Sequence, residues 1–194
     1  MKRFLSFLTI LFCLIAGSGL CRAAANDIHL KLSSGVDVLI SKNDQGAWTW
    51  QAGAEIYTLV MEKAGLVFKR RETLLATGRI KGEDVTLTTA SGDTFLDLKC
   101  RADKIKVVLN ASSPPWEIKF KVNKVKIVHS GTEYGKVKYY GETGKIKAKD
   151  PQGDAVAEMK GLSALSAAPG VFLIEPLTQD QAVFMALYLL SAGR

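Results

Sequence analysis

The chain has 194 residues, 47% of them hydrophobic, with 26 lysines and arginines against 19 acidic residues and a net charge of +7. That hydrophobic share excludes a disordered or fibrous polymer, and the length fits one domain able to bury a substantial core. Three cysteines are too few for the disulfide framework of a small secreted scaffold.

The N-terminus reads as a targeting segment. Lys2 and Arg3 precede an apolar core over residues 4–16, small residues follow, and Ala23-Ala24-Ala25 supplies an A-x-A site. This is the pattern of a secretory signal peptide, with cleavage expected after Ala25. Residues 1–25 are therefore assigned to a leader and 26–194 to a single exported domain, periplasmic or extracellular. Ser18-Gly19-Leu20-Cys21 faintly resembles a lipoprotein box. Leu20 is bulky where that box wants a small residue, so lipid anchoring at Cys21 is not expected. Cleavage removes Cys13 and Cys21 and leaves Cys100, which alternates with Leu96 and Leu98 and reads as a buried small hydrophobe.

From residue 28 onward polar and apolar residues alternate as in half-buried strands. Strands are predicted over 28–32, 36–40, 47–51, 56–62, 66–69, 74–80, 85–89, 94–100, 104–109, 116–122, 125–128, 136–140, 145–149 and 155–160. Turn signals such as Gly35, Gly46, Gly82-Glu83-Asp84, Ser91-Gly92-Asp93 and Gly141-Glu142-Thr143-Gly144 separate them. Short strands at such spacing predict an antiparallel barrel or sandwich, and no compositional break divides the chain. Trp48 and Trp50 share one strand face and are expected to pack in the core, and Trp116, after Pro114-Pro115, is expected to anchor its strand.

The late hairpins carry lysine on one face. Ile118, Phe120 and Val122 are expected to share the core face with Val125 and Ile127, across a two-residue Asn123-Lys124 turn. Lys119, Lys121 and Lys126 then occupy the reverse face, and Lys136, Lys138, Lys145 and Lys147 do the same on the following pair. Such a face ordinarily keeps strands solvated and blocks edge-to-edge association. Its functional reading is a surface for anionic lipid headgroups or an acidic envelope protein. Nucleic acid is not the expected partner, given an export leader and no recognisable binding motif.

Residues 161–170 fit either a short helix or an irregular strand, suited to capping one barrel end, and 171–174 reads as a further strand stopped by Pro176. Thr178 then starts a helix over 178–192, with Gln181 completing a capping box and Gly193 ending it. Residues 182–190 are apolar on every side, so this helix must be buried all round. It is too short for a bilayer span of about 20 residues. The host is expected to be the protein's own sheet.

A β-body, late lysine-bearing hairpins with Gly135-Lys136-Val137-Lys138-Tyr139-Tyr140, an Ile174-Glu175-Pro176-Leu177 segment and a terminal apolar helix together resemble the tubby-like superfamily. That superfamily includes LURP-one-related proteins and phospholipid scramblases. The resemblance implies a mainly β protein, an antiparallel barrel of about twelve strands around a hydrophobic C-terminal α-helix. It also implies a binding or scaffold role for a basic outer surface.

The catalytic inventory is thin. The two histidines, His29 and His129, form no H-E-x-x-H pair, and the sequence holds no C-x-x-C, G-x-S-x-G or phosphate-loop motif. His129, Ser130 and Glu133 form the one local cluster that a hydrolase could use. No catalytic, cofactor or metal residue is assigned. A non-catalytic envelope protein is the expectation, and a small envelope hydrolase with a loop-built site is the alternative.

Overall fold

The computed structural model describes residues 27–62, 65–109 and 112–194. The expected leader and its cysteines lie outside these residues. The fourteen described strands are β1 (Ile28–Leu32), β2 (Asp37–Lys42), β3 (Trp48–Ala52), β4 (Glu55–Met61), β5 (Gly65–Arg70), β6 (Thr73–Lys81) and β7 (Asp84–Thr88), followed by β8 (Thr94–Cys100), β9 (Lys104–Val108), β10 (Trp116–Lys121), β11 (Lys124–His129), β12 (Thr132–Tyr140), β13 (Lys145–Lys149) and β14 (Ala155–Lys160). Each strand pairs antiparallel with its sequence neighbours, and β1 closes on β14. An up-and-down barrel can close with every pair antiparallel only when its strand number is even. Fourteen satisfies this, two more than the resemblance implies.

The extra width follows from what the barrel contains. Eight strands already enclose a lumen that side chains alone can fill, and each added strand widens it. Here the lumen holds two passes of backbone. The first includes a 3-10 helix over Ala168–Leu173, and the second is α1 (Gln179–Ser191). Ser166 Oγ donates to the carbonyl of Arg194, just beyond the end of α1, whereas Thr178 caps its start, so the first pass runs antiparallel to the second. A 13-residue helix is about 20 Å long, which matches a six-residue strand.

Segment 171–174 is therefore not a strand. A closed barrel offers it no free edge, so its backbone turns on itself, with Gly170 N–H donating to Ala167 O and Ile174 N–H to Val171 O. Gly170 lets this pass lie against the wall: a Cβ there would stand 2.7 Å from Val137 Cγ2. Residues 161–165 are neither helix nor strand; they lead from the end of β14 toward the lumen, where Ala167 and Ala168 are buried.

Helix α1 begins and ends as its residues dictate. Thr178 and Gln181 form the reciprocal capping box. At the other end Arg194 N–H reaches Leu189 O and Gly193 N–H reaches Leu190 O, a Schellman closure with Gly193 at φ 65°. All nine residues from Ala182 to Leu190 are buried. Phe184 stands edge-on to Phe68 at 5.5 Å and stacks with Tyr188 at 5.9 Å. Trp50 is buried against Phe172 of the 3-10 pass, while Trp48 sits half-buried with the Lys42 ammonium 5.7 Å from its ring centre.

The barrel has two distinct mouths. At the α1 N-terminal mouth Tyr57 donates to Asp180 and Gln181 Nε2 donates to Phe95 O. At the C-terminal mouth Arg194 donates to Arg101 O, and Cys100 Sγ lies 3.8 Å from Tyr188 Oη. Cys100 is buried, and desolvation pushes its thiol pKa up, away from reactivity.

Replacing Leu187 with Asp places a charge in the middle of a fully buried helix, a cost of several kcal/mol. The expected outcome is loss of cooperative unfolding by circular dichroism, while Phe184→Ala, which leaves a cavity, costs about 3–5 kcal/mol. A soluble, cooperatively folded Leu187→Asp protein would contradict the enclosed helix.

Candidate functional site

Strand register turns the lysine pattern into a surface. Lys104 of β9 lies opposite Lys119 of β10, Lys119 opposite Lys126 of β11, Lys126 opposite Lys136 of β12, and Lys136 opposite Lys149 of β13. Five neighbouring strands thus present lysines in one continuous row around the wall. A second row places Lys138 opposite Lys147 and Lys147 opposite Glu158. At the edge of the surface, Lys145 lies opposite Lys160 of β14.

Opposed like charges oppose folding. Two unit charges 5 Å apart in water repel by about 0.8 kcal/mol, and cross-strand like pairs are destabilising. Acidic residues offset part of this: Glu117 holds Lys119 at 2.7 Å and Lys104 at 3.6 Å, Glu133 holds Lys126 at 2.6 Å, and Glu158 holds Lys145 at 3.0 Å and Lys147 at 3.1 Å. Lys121, Lys136, Lys138 and Lys149 have no carboxylate within 4.0 Å among the described residues. The excess is regional: residues 94–160 hold 14 basic and 8 acidic side chains, whereas 27–93 hold 8 and 9.

All seven lysines singled out from sequence, Lys119, Lys121, Lys126, Lys136, Lys138, Lys145 and Lys147, lie on this outer wall, opposite the buried inward positions Ile118, Val125, Val137 and Ile146. Lys104 and Lys149 complete the row. Their alternation was visible in the sequence, but the register that aligns them with Lys119 and Lys136 was not. One detail of the hairpin differs from expectation. Lys121 pairs with Lys124, so the turn is Val122-Asn123 and Val122 leaves the core face to stand fully exposed at the tip.

The wall also shows which side of the barrel is apolar. Mid-strand lysines face outward and the packed hydrophobes face inward, the reverse of a membrane-spanning barrel, where each outward lysine near the bilayer midplane would cost about 2–4 kcal/mol.

The His129 cluster does not assemble. His129 stacks on Trp116 at 4.7 Å and 10° and its Nε2 meets Pro114 O at 3.1 Å, while Tyr134 packs on the same Trp116 at 4.7 Å. Glu133 is bonded to Lys126, and Ser130 occupies a left-handed turn at φ 50°. His129 and Glu133 thus have separate structural partners. Trp116 is the anchor its position suggested, buried in this aromatic group. Among the described residues, no group of His, Cys, Asp or Glu is arranged to hold a metal ion.

Glu117 has a lowered pKa, chiefly because Lys119 bonds its carboxylate, against the opposing effect of burial. For Glu158 burial works upward, but bonds from Lys145 and Lys147 outweigh it and the net direction is again down. A carboxylate with a depressed folded pKa stabilises the fold above its unfolded pKa, near 4.3. That contribution is lost as pH falls through the lower folded value. Urea titrations are expected to show a lower midpoint at acid pH than at pH 7, with a smaller pH effect in Glu158→Gln. An unchanged pH effect in that variant would contradict the offsetting role assigned to Glu158.

Comparison with protein-family models, with curated proteins and with solved structures finds no match for this chain.

Proposed function

We propose that this is an exported, non-catalytic binding protein whose lysine-bearing half-barrel meets an anionic partner, the headgroups of an anionic lipid surface. The observation that carries this reading is the five-strand lysine row. A merely solvated wall needs scattered charge of both signs, and this row opposes like charge to like charge across four successive strand pairs. An anionic surface relieves that repulsion, and each lysine brought close to it contributes about 1 kcal/mol.

The closed antiparallel barrel with a buried C-terminal helix also supports placing the chain beside the tubby-like superfamily, in which such a barrel serves binding. Strand number is a departure from that pattern, and export is another.

The test is co-sedimentation of the purified protein with phosphatidylcholine vesicles and with vesicles rich in phosphatidylglycerol, at low and high salt. Binding is expected only to the anionic vesicles, with loss at high salt because surface charge is screened within a few ångströms at 1 M. Combined reversal of Lys119, Lys126 and Lys136 to Glu is expected to weaken it by roughly tenfold or more, given the contribution per lysine. Salt-independent binding would contradict the reading. So would no binding at all, in which case capture by an acidic protein becomes the explanation to pursue.

A further inference from the structure

The lysine wall says which side of the barrel is basic, but a convex wall touches a flat surface only along a narrow strip. The rim at the C-terminal mouth offers a different contact. Because the barrel is an up-and-down meander, the turns joining β10 to β11 and β12 to β13 lie at that mouth, on the same side as Arg101 and Arg194. The first turn carries Val122, whose relative exposure is 106%, between Lys121 and Lys124. The second begins beside Tyr140, also exposed, with Lys138 and Lys145 on its flanking strands and Lys147 5.9 Å from its ring centre.

A lone exposed valine is ordinary. This one sits at a turn tip, where polar and glycine residues are usual, and the hairpin closes on an opposed Lys121 and Lys124 with no carboxylate within 4.0 Å of either among the described residues. Glu142 is the acidic residue in the neighbouring turn. Acidic residues stand at both mouths: Asp44, Glu62, Glu83 and Asp103 on the other turns of this rim, and Glu72, Asp93, Asp150 and Asp154 at the opposite one, where Arg70 and Arg71 also lie. The basic excess is thus local to the β10–β13 sector of the C-terminal rim.

We infer that the barrel docks end-on on an anionic membrane surface by the β10–β13 sector of this rim. Val122 and Tyr140 enter the interfacial region, and Lys121, Lys124, Lys138 and Lys145 engage headgroups. The inference rests on the lipid reading proposed above and moves its direct contact from the wall to the rim, with the wall row attracting the surface through its field over a screening length of about 10 Å at low salt. Apolar burial at the interface and lysine attraction to anionic lipid are the two forces that together give stable peripheral binding.

The test places an environment-sensitive fluorophore on Val122→Cys, and, as a control at the opposite mouth, on Gln152→Cys; Cys100 is buried and remains unlabelled in the folded protein. With phosphatidylglycerol-rich vesicles the label at 122 is expected to brighten and shift to the blue while that at 152 stays as in water. In co-sedimentation Val122→Asp is expected to weaken binding about tenfold, the order of losing one buried valine contact. The combined reversal of Lys121 and Lys124 to Glu is expected to weaken it at least as much.

Anionic-vesicle binding that survives these changes, or a label at 122 that stays in water while the protein sediments with vesicles, overturns the end-on geometry and leaves the lipid reading standing. Failure of the unmodified protein to bind any vesicle overturns both.

Discussion

The constraint on which the rest depends is the filling of a wide lumen. Small eight-stranded barrels fill with side chains, whereas barrels of 16–18 strands enclose an open channel. Fourteen strands lie near the wide end of that range, so the wall is stable only if something apolar occupies its interior. The chain supplies this from its own end. Helix α1 brings a cylinder of roughly 10–12 Å with side chains included, and the 3-10 pass over Ala168–Leu173 fills the remaining crescent against β11 to β14. Neither pass has a polar face to offer water, and the wall turns its packed hydrophobes inward. Each half solves the burial problem of the other.

Burying backbone in this way requires every polar group to be satisfied, and the two mouths are where this happens. At one, the capping box of Thr178 and Gln181 closes the helix start, while Gln181 also donates to Phe95 O and ties the helix to β8. At the other, the Schellman closure brings Arg194 back over the rim, where its side chain meets Arg101 O and the ring of Phe120. Among the described residues no buried side-chain nitrogen or oxygen lacks a partner. The same local signals that end the helix therefore also seal the barrel.

Most of this was legible in the residues because the two periodicities differ so plainly. All fourteen strand segments follow from alternation, and the all-apolar run at 182–190 can only be interior. What alternation cannot convey is register across strands. Hence alternation alone does not join Lys104 and Lys149 to the lysine row, and it puts the hairpin tip one residue late, with Val122 on the core face. Segment 171–174 misled for another reason: a short apolar run has no period of its own, and its conformation is set by the lumen around it. Strand number came from resemblance, and the second lumen pass accounts for the difference. His129 ends β11, and its stacking on Trp116 needed the fold to be seen.

The function proposed for this chain rests on the outside of the barrel. The wall from β8 to β14 concentrates lysine, its carboxylates are too few to neutralise it, and the C-terminal rim continues that charge around an exposed valine. Under the proposed reading this surface recognises charge first and shape second.

The account stands on the enclosed helix, and native-state hydrogen exchange measures that enclosure directly. Amides of residues 182–190 are predicted to exchange only through global unfolding, at least as slowly as those of the central wall strands, because the barrel must open before water reaches them. Exchange of the helix ahead of the wall would mean that it leaves an intact barrel, and would contradict the claim that the lumen cannot stand without it.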